Sequence, residues 1–344
     1  MLEIKKNFNH LKIHTQYSIC EGAILIDNLK DYCKQNKVQS VGLSDNFNLS
    51  GALEFSEKIS KSGTQPIIGT QIKFKYKDVS GFIPLIAVNN RGYKKIIELS
   101  SRSYLENNNL SEPCCDLNSL LKDKDNEGIV LLSGSINGLI GKLFNAGRNN
   151  DIDEIYKNIK SKYKDNFYIE IQRHGDINEN NFEIFNLAKS KEFEIPIIAT
   201  HEVFYIDKKM YEAHDALLCI GSKTYINDKD RIKLSNEHYF KTDEEMSELF
   251  NDLPEALENN YNFPFKCSFR PIPSNPVLPN IGLDKGIDPN NLLKSEALKG
   301  LKEKFVKNFN IEAEEFNSNK IYKNYKIRLD HEIGIIHKMN YSSY

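Results

Sequence analysis

Residues 8–46 read FNHLKIHTQYSICEGAILIDNLKDYCKQNKVQSVGLSDN, and the parsing of this stretch decides the fold. Residues 11–13 form a short apolar-rich strand. Its polar neighbours His10, Lys12 and His14 alternate, so a regular pleat puts all three on one face. Ile26, Leu29 and Cys33 then share one face at the i, i+3, i+7 spacing that needs a helix. Residues 38–43 make a second apolar strand, ended by Asp45-Asn46. Strand, helix and strand in this order form one β-α-β unit.

The pattern repeats outward. Further strand-like runs fall at 66–74, 82–88, 129–132, 167–171 and 195–199. Ile152, Ile155, Ile159 and Tyr163 mark another helix, with Asp151 as its expected cap. Repeated units of this kind predict a mainly parallel sheet covered by helices, open or closed, and seven strands favour a barrel-like closure. The pattern changes near Cys267. Pro271, Pro273, Pro276 and Pro279 crowd into nine residues, which neither a helix nor a central strand accepts. The expected organisation is an α/β domain over 6–268, an extended linker over 269–284, and a helical region over 285–344. That last region carries two stripes: Leu293, Ala297, Leu301 and Phe305, then Ile321, Tyr325, Leu329, Ile333 and Ile336. The sequence stops at Tyr344 with no cap, Gly or charged tail, which reads as an interruption, with the final helix packing on something outside the chain.

Composition narrows the function classes. Lys and Arg total 46 against 48 Asp and Glu, so no global basic field exists to bind nucleic acid by charge alone. Hydrophobic residues are 40% of the 344, and 19 Phe with 17 Tyr supply core volume although Trp is absent. Mean hydropathy is -0.52, and no apolar run nears the ~18 residues of a membrane span. The first residues lack the apolar core of a secretory signal. The six Cys show no CxxC pair, which argues against a zinc ribbon or a secreted disulfide scaffold and for reduced thiols in the cytoplasm.

Polar and titratable residues recur at the C-terminal ends of the predicted strands. They are His10, Lys12 and His14; Asp45 and Asn46; Gln71; Ser133 and Ser135; Glu170, Gln172 and His174; and His201 with Glu202. In closed β/α barrels that rim carries the active site, and a ring of His and carboxylates there is a candidate metal cluster. Elsewhere the plainer reading holds. His10 is a hydrogen-bonded strand residue, His214 packs or caps within 212–220, His331 and His337 lie on a helix surface, and Cys114-Cys115 is a loop pair. Arg231 and Lys233 are solvated loop charges or contacts to a DNA backbone.

Residues 8–18, with Glu21-Gly22-Ala23, resemble the opening HLHVHTxYSxxDGA of the alpha subunit of bacterial DNA polymerase III. The later matches keep the order of that family: Leu43-Ser44-Asp45-Asn46, Pro66 to Gln71, Leu132-Ser133-Gly134-Ser135, Glu170 to Gly175 and Ala199 to Tyr205. Glu212 to Ile220 is nearly EAHDxLLCI, Tyr239 to Met246 is similar to YLKSPEEM, and Arg328 to Tyr341 resembles RLxxELxxIxxMGF. The resemblance implies a polymerase and histidinol phosphatase (PHP) domain, a distorted seven-stranded β/α barrel, followed by the start of the polymerase palm. It also implies DNA-directed DNA polymerase activity with two Mg²⁺ on palm aspartates beyond Tyr344. The implied partners are the remainder of the subunit, a proofreading exonuclease, primer–template DNA and other replisome subunits, with no membrane.

Several positions depart from the metal-binding pattern of the family. The HxH pair is Lys12-x-His14, the DH pair is Asp45-Asn46, the glutamate is Gln71, the cysteine is Ser135, and the closing DxH is Glu202-x-Phe204. An ammonium has no lone pair and repels a cation, and phenylalanine offers no donor. Only His14, Asp45, His174 and Glu202 remain as ligand types, so the expected metal site is vestigial and the barrel silent. The alternatives are a metal-dependent phosphoesterase or 3′–5′ exonuclease at the barrel rim, and a freestanding binding module.

Overall fold

The computed structural model describes residues 7–106, 112–123, 127–277, 286–309, 315–316 and 318–344. Residue 6, where the α/β domain was expected to begin, and residues 278–284 of the expected linker lie outside the described residues. The chain divides into two compact units, Met1–Pro273 and Ser274–Tyr344.

In the first unit the described residues form nine strands: β1 His10–Ile13, β2 Ser40–Asn46, β3 Gln65–Tyr76, β4 Val79–Ala87, β5 Cys115–Asp116, β6 Ile129–Leu132, β7 Phe167–Ile171, β8 Ile197–Ala199 and β9 Glu202–Val203. Their order in the sheet is β8-β7-β6-β4-β3-β2-β1-β9, with β5 on β3. The end strands β8 and β9 are separated in the chain only by Thr200-His201. Three Cα steps reach at most ~11 Å, so the sheet must curl until its edges nearly meet. Asn260 closes the gap. It accepts from the Asn9 amide at 2.8 Å and donates to the carbonyls of Asn9 at 2.9 Å and Ala199 at 3.0 Å.

All pairings are parallel except those of β4, which runs antiparallel to β3 and β6. The expectation of parallel units fails there because only Lys77-Asp78 joins β3 to β4. Two residues make a hairpin and leave no length for a crossover. Lys77 takes a left-handed φ of 56° in that turn. The two-residue strands β5 and β9 escape prediction because they are too short to show a period.

Two kinds of face follow from alternation. Leu11, Ile67, Ile86, Val130, Leu132, Tyr168 and Ile198 come from six strands and touch one another with Phe263 as a plug. Only the concave interior allows contacts all round the sheet. The convex face holds the helices. Ile13, Val41, Leu43 and Ile68 pack on α1 (Ile26–Asn36) and α2 (Ala52–Lys61). The other strands pack on α3 (Asn90–Leu105), α4 (Leu117–Lys122), α5 (Leu139–Asn145), α6 (Asn149–Tyr163) and α7 (Glu179–Phe193). Helix α6 starts two residues before Asp151. That carboxylate therefore sits in the first turn, taking Arg148 Nε at 2.6 Å and Lys77 Nζ at 2.5 Å, instead of capping.

Helices α8 (Tyr211–Ser222), α9 (Asp243–Leu249) and α10 (Pro254–Asn262) complete the unit. A capping box starts α9: Thr242 Oγ1 accepts from the Glu245 amide while the Glu245 carboxylate takes the Thr242 amide. Beyond α10 the chain runs back over the barrel, where Pro271 O accepts from Ser56 Oγ at 2.6 Å.

The second unit holds α11 (Pro289–Phe309) and α12 (Lys320–Lys338). Its buried centre is Phe305, Phe316 and Tyr322, with Leu301 at the edge. Tyr322 and Ile333 are buried on α12, whereas Ile321 and Tyr325 of the expected stripe are about half exposed. The predicted stripe thus holds at Leu329, Ile333 and Ile336, which are buried or partly buried, while its first turn is taken by Tyr322 in place of Ile321 and Tyr325.

Candidate functional site

The inward face of several strands changes from apolar to polar toward the C-terminal end. On β3 it runs Ile67, Gly69, Gln71. From β7 it runs Tyr168, Glu170, Gln172, and from β8 Ile198, Thr200, Glu202. The upper interior, the barrel mouth, is thus lined with amides, hydroxyls and carboxylates.

Strand β1 reaches the mouth by a different route. Its register against β2 pairs His10 with Val41 and Ile13 with Leu43, three steps against two. The extra residue is a bulge, a device that re-aims side chains beside sites. Leu11 and Lys12 therefore both lie inside, while Ile13 packs outside. Gly42 makes room for this, because a Cβ there would meet Leu11 O at 2.6 Å. The expected shared face of His10, Lys12 and His14 is thereby corrected. His10 leaves the group, places Nε2 2.8 Å from Lys241 O and packs on Phe240.

Lys12 is 1% exposed, with Nζ 3.2 Å from Glu170 Oε1 and 3.5 Å from Glu202 Oε1. Burial opposes its charge, but the two carboxylates outweigh burial and raise its pKa above the usual lysine value. For Glu202, burial is again opposed by Lys12 and then by His14 and Gln71, which hold its carboxyl well below the usual range. Glu202 Oε1 also lies 2.9 Å from His14 Nε2 and takes Gln71 Nε2 at 2.6 Å. Glu170 Oε1 accepts from Gln172 Nε2 at 2.7 Å and from Thr200 Oγ1. The Lys12 ammonium and Glu170 Oε2 are buried with no aligned hydrogen-bond partner.

The four expected ligands meet only in part. His14 and Glu202 touch. His174 is beside them, but both its ring nitrogens are engaged: Nε2 accepts the Glu202 amide at 3.1 Å, so Nδ1 carries the proton toward Glu179 Oε1 at 3.1 Å. Asp45 stands apart under the loop after β1. It takes the Thr15 amide, Thr15 Oγ1 and Ser18 Oγ, each at 2.7 Å, and reaches His14 only through Ser18, whose Oγ is 3.3 Å from His14 Nδ1. Burial nonetheless pushes the Asp45 carboxyl up. Phe204 stacks on the His14 ring at 4.2 Å and 9°, with nothing to donate. Ser135 lines a small cavity of ~10 Å³ with Glu170, Gln172 and Asn186, about the space of one water. This donor set does not fit a metal cluster: a lysine charge fills the space between the carboxylates and both histidines are committed. Among the described residues no group of three or more His, Cys, Asp or Glu is arranged to hold a metal ion.

Three features were not legible in sequence. Glu170 is the nearer carboxylate to Lys12, ahead of Glu202. His238 and His201 both stack on the His174 ring, at 4.0 and 4.5 Å, the first brought there by the long loop between α8 and α9. Burial drives the pKa of both His201 and His238 well down. Arg231, read as a solvated or DNA-facing charge, grips Asp215 on α8 with both nitrogens at 2.6 and 2.8 Å. His214 packs as expected, Nε2 2.7 Å from Glu21 O. Cys115 is buried in β5 instead of a loop, and burial pushes its thiol up to about 11.

The PHP domain family matches residues 10–174. The DNA polymerase III subunit alpha of Caulobacter vibrioides is 34% identical over 98% of this chain and 30% of its own length. That of Rickettsia conorii is 33% identical over 99% and 29%, and that of Borreliella burgdorferi 32% over 100% and 30%. The chain spans about 30% of the length of these curated relatives. Among solved structures, a two-domain protein from Bacteroides vulgatus described as containing a predicted PHP-like metal-dependent phosphoesterase is 9% identical. It covers 70% of this chain and 62% of that one with a TM-score of 0.36. An amidohydrolase from Chromobacterium violaceum is 8% identical over 57% and 87%, with a TM-score of 0.35. No helix among the described residues is long and apolar enough to cross a membrane. The chain thus matches the PHP domain family over residues 10–174 and is similar, along nearly its whole length, to part of the DNA polymerase III alpha subunits.

Proposed function

We propose that this chain is part of the alpha subunit of a DNA polymerase III, a DNA-directed DNA polymerase of replication, and that its PHP barrel acts there as a catalytically silent scaffold. Similarity to part of the alpha subunits along nearly the whole of this chain supports the first half. Lys12 lodged between Glu170 and Glu202 carries the second. A metal ion entering the mouth would have to expel a charge fixed to the backbone and would find Phe204 where a donor is needed. The two Mg²⁺ of polymerisation belong to palm aspartates, which none of the matched motifs supplies. Primer–template DNA and other replisome subunits are partners of the complete subunit, acting in the cytoplasm. A barrel relieved of chemistry keeps its outer surface for docking the proofreading exonuclease.

The test is elemental analysis of the purified chain after dialysis against Mn²⁺ or Zn²⁺, with release of phosphate from esters and of nucleotides from 3′ ends. The expected result is less than one metal per chain and no release. Two or three ions per chain, with release abolished by His14→Ala, would establish a metal-dependent phosphoesterase or exonuclease instead. Sequencing downstream of codon 344 tests the polymerase half. An in-frame palm is expected there, and a stop codon with no palm nearby would indicate a freestanding module.

A further inference from the structure

Helix α12 carries two apolar rows. Tyr322, Leu329, Ile333 and Ile336 are buried or partly buried and form the first, where Tyr322 packs on Phe305 and Phe316 at 5.3 and 4.7 Å between ring centres. Ile321, Tyr325, Ile335 and the C-cap residue Met339 form the second and are 44–59% exposed. Arg328 and Glu332 fall on that same row and pair with each other at 2.8 Å. At ~100° per residue the two rows lie about a quarter turn apart. A helix that packs on one neighbour needs one apolar row, and a second row at that angle suits a second neighbour. Between this row and α11 runs a groove of about 480 Å³, lined by Leu301, Asn324, Tyr325, Arg328, Leu329 and Glu332.

We infer that the exposed row and its groove seat an amphipathic helix from the part of the complete subunit that follows Tyr344. This rests on the polymerase reading and deepens it, because it names a surface of α12 that the rest of the subunit covers. The row from residue 321 to 339 is ~27 Å long at the helical rise, the length of about five turns of a partner helix. Its ends are apolar and its middle is an ion pair, so the partner helix should be apolar at both ends and polar opposite Arg328 and Glu332. The choice of occupant follows from length and tethering. This chain spans about 30% of the curated relatives, so a complete subunit supplies ample further polypeptide. A segment of the same polypeptide meets the groove at the high effective concentration of a tether, which a second copy in solution lacks.

The experiment measures amide hydrogen exchange of α12 in this chain and in the complete subunit. Each is compared as wild type, as Ile321→Ala/Ile335→Ala/Met339→Ala, and as Ile327→Ala, a residue 69% exposed and off the row. In the complete subunit the α12 amides should exchange at least ~10-fold more slowly than in this chain, and the triple variant should lose most of that protection. Ile327→Ala should keep it. Alanine preserves helix propensity, so the loss reports packing. Equal exchange in the two chains, or an equal loss from Ile327→Ala, would overturn the inference. So would slow exchange in this chain together with a concentration-dependent dimer in light scattering, which would assign the row to a second copy. A stop codon directly after Tyr344 would overturn the polymerase reading and this inference with it, whereas an in-frame palm that leaves α12 unprotected would overturn the inference alone.

Discussion

The lower and upper halves of one barrel interior obey different rules. Below, Leu11, Ile67, Val130, Tyr168, Ile198 and Phe263 pack as an apolar layer that needs only volume and shape. Above, Lys12, His14, Gln71 and Glu170 are buried and Glu202 is partly so, and they are stable only as a set, since each charge depends on a neighbour to offset its desolvation. Strands β1, β3 and β7 contribute to both layers. The difference teaches that a polar layer is as tightly constrained as an apolar one, because unpaired buried charges are costly whether or not a metal is present.

The contrast can be broken first in the lower layer. Phe263 is 1% exposed, and Phe263→Ala should lower stability by about 4 kcal/mol in urea unfolding, equally at pH 5 and pH 8. In the upper layer Glu202→Gln removes the oxygen charge shared by Lys12, His14 and Gln71 and should cost about 3 kcal/mol at pH 7. The Glu202 carboxyl is held well below its unfolded value of 4.5, so its stabilisation is complete above pH 4.5 and is lost as pH falls through the folded pKa. The gap between Glu202→Gln and wild type should therefore narrow in acid. A gap as large at pH 3 as at pH 7 would mean that packing, not charge, is lost.

His10 tests the rim outside the bulge. Burial lowers its pKa from 6.5 to about 4, so it is neutral in the fold and the unfolded chain binds its proton first. Its contribution is complete above pH 6.5 and is lost progressively down to pH 4, by up to about 3 kcal/mol. His10→Gln can still donate to Lys241 O and should flatten that part of the acid limb in pH-dependent unfolding. An unchanged limb would assign the sensitivity to the other buried histidines. The smallest effect is expected where neither layer is touched. Thr242→Ala removes one arm of the capping box of α9 and should cost about 1 kcal/mol, with no metal or pH dependence.

Much of this was written in local pattern. Alternation in 129–132 and 167–171 separates inner from outer side chains, and the same period places Gln71 and Glu170 at the mouth. The exchange of metal donors at Lys12, Asn46, Gln71 and Phe204 needs no coordinates to be seen. The antiparallel β4 was missed because helical and strand periods say nothing about direction. Arg231 was misjudged because its partner Asp215 lies on a different element, and charge alone does not name a partner.

By itself, then, the sequence determined the α/β class, the inward and outward sides of most strands, and which donor types survive at the mouth, since all of these depend on residue identity and short-range spacing. The tertiary structure decided that His10 leaves the group while Lys12 joins it, that Glu170 is the nearer carboxylate to Lys12, and that His174 has no nitrogen to spare. The reason is that a single extra residue in β1 shifts the pleat, and a shift of one residue exchanges the two faces of a strand. Whether that residue is accommodated depends on the neighbouring strand, where Gly42 leaves room for the Leu11 backbone.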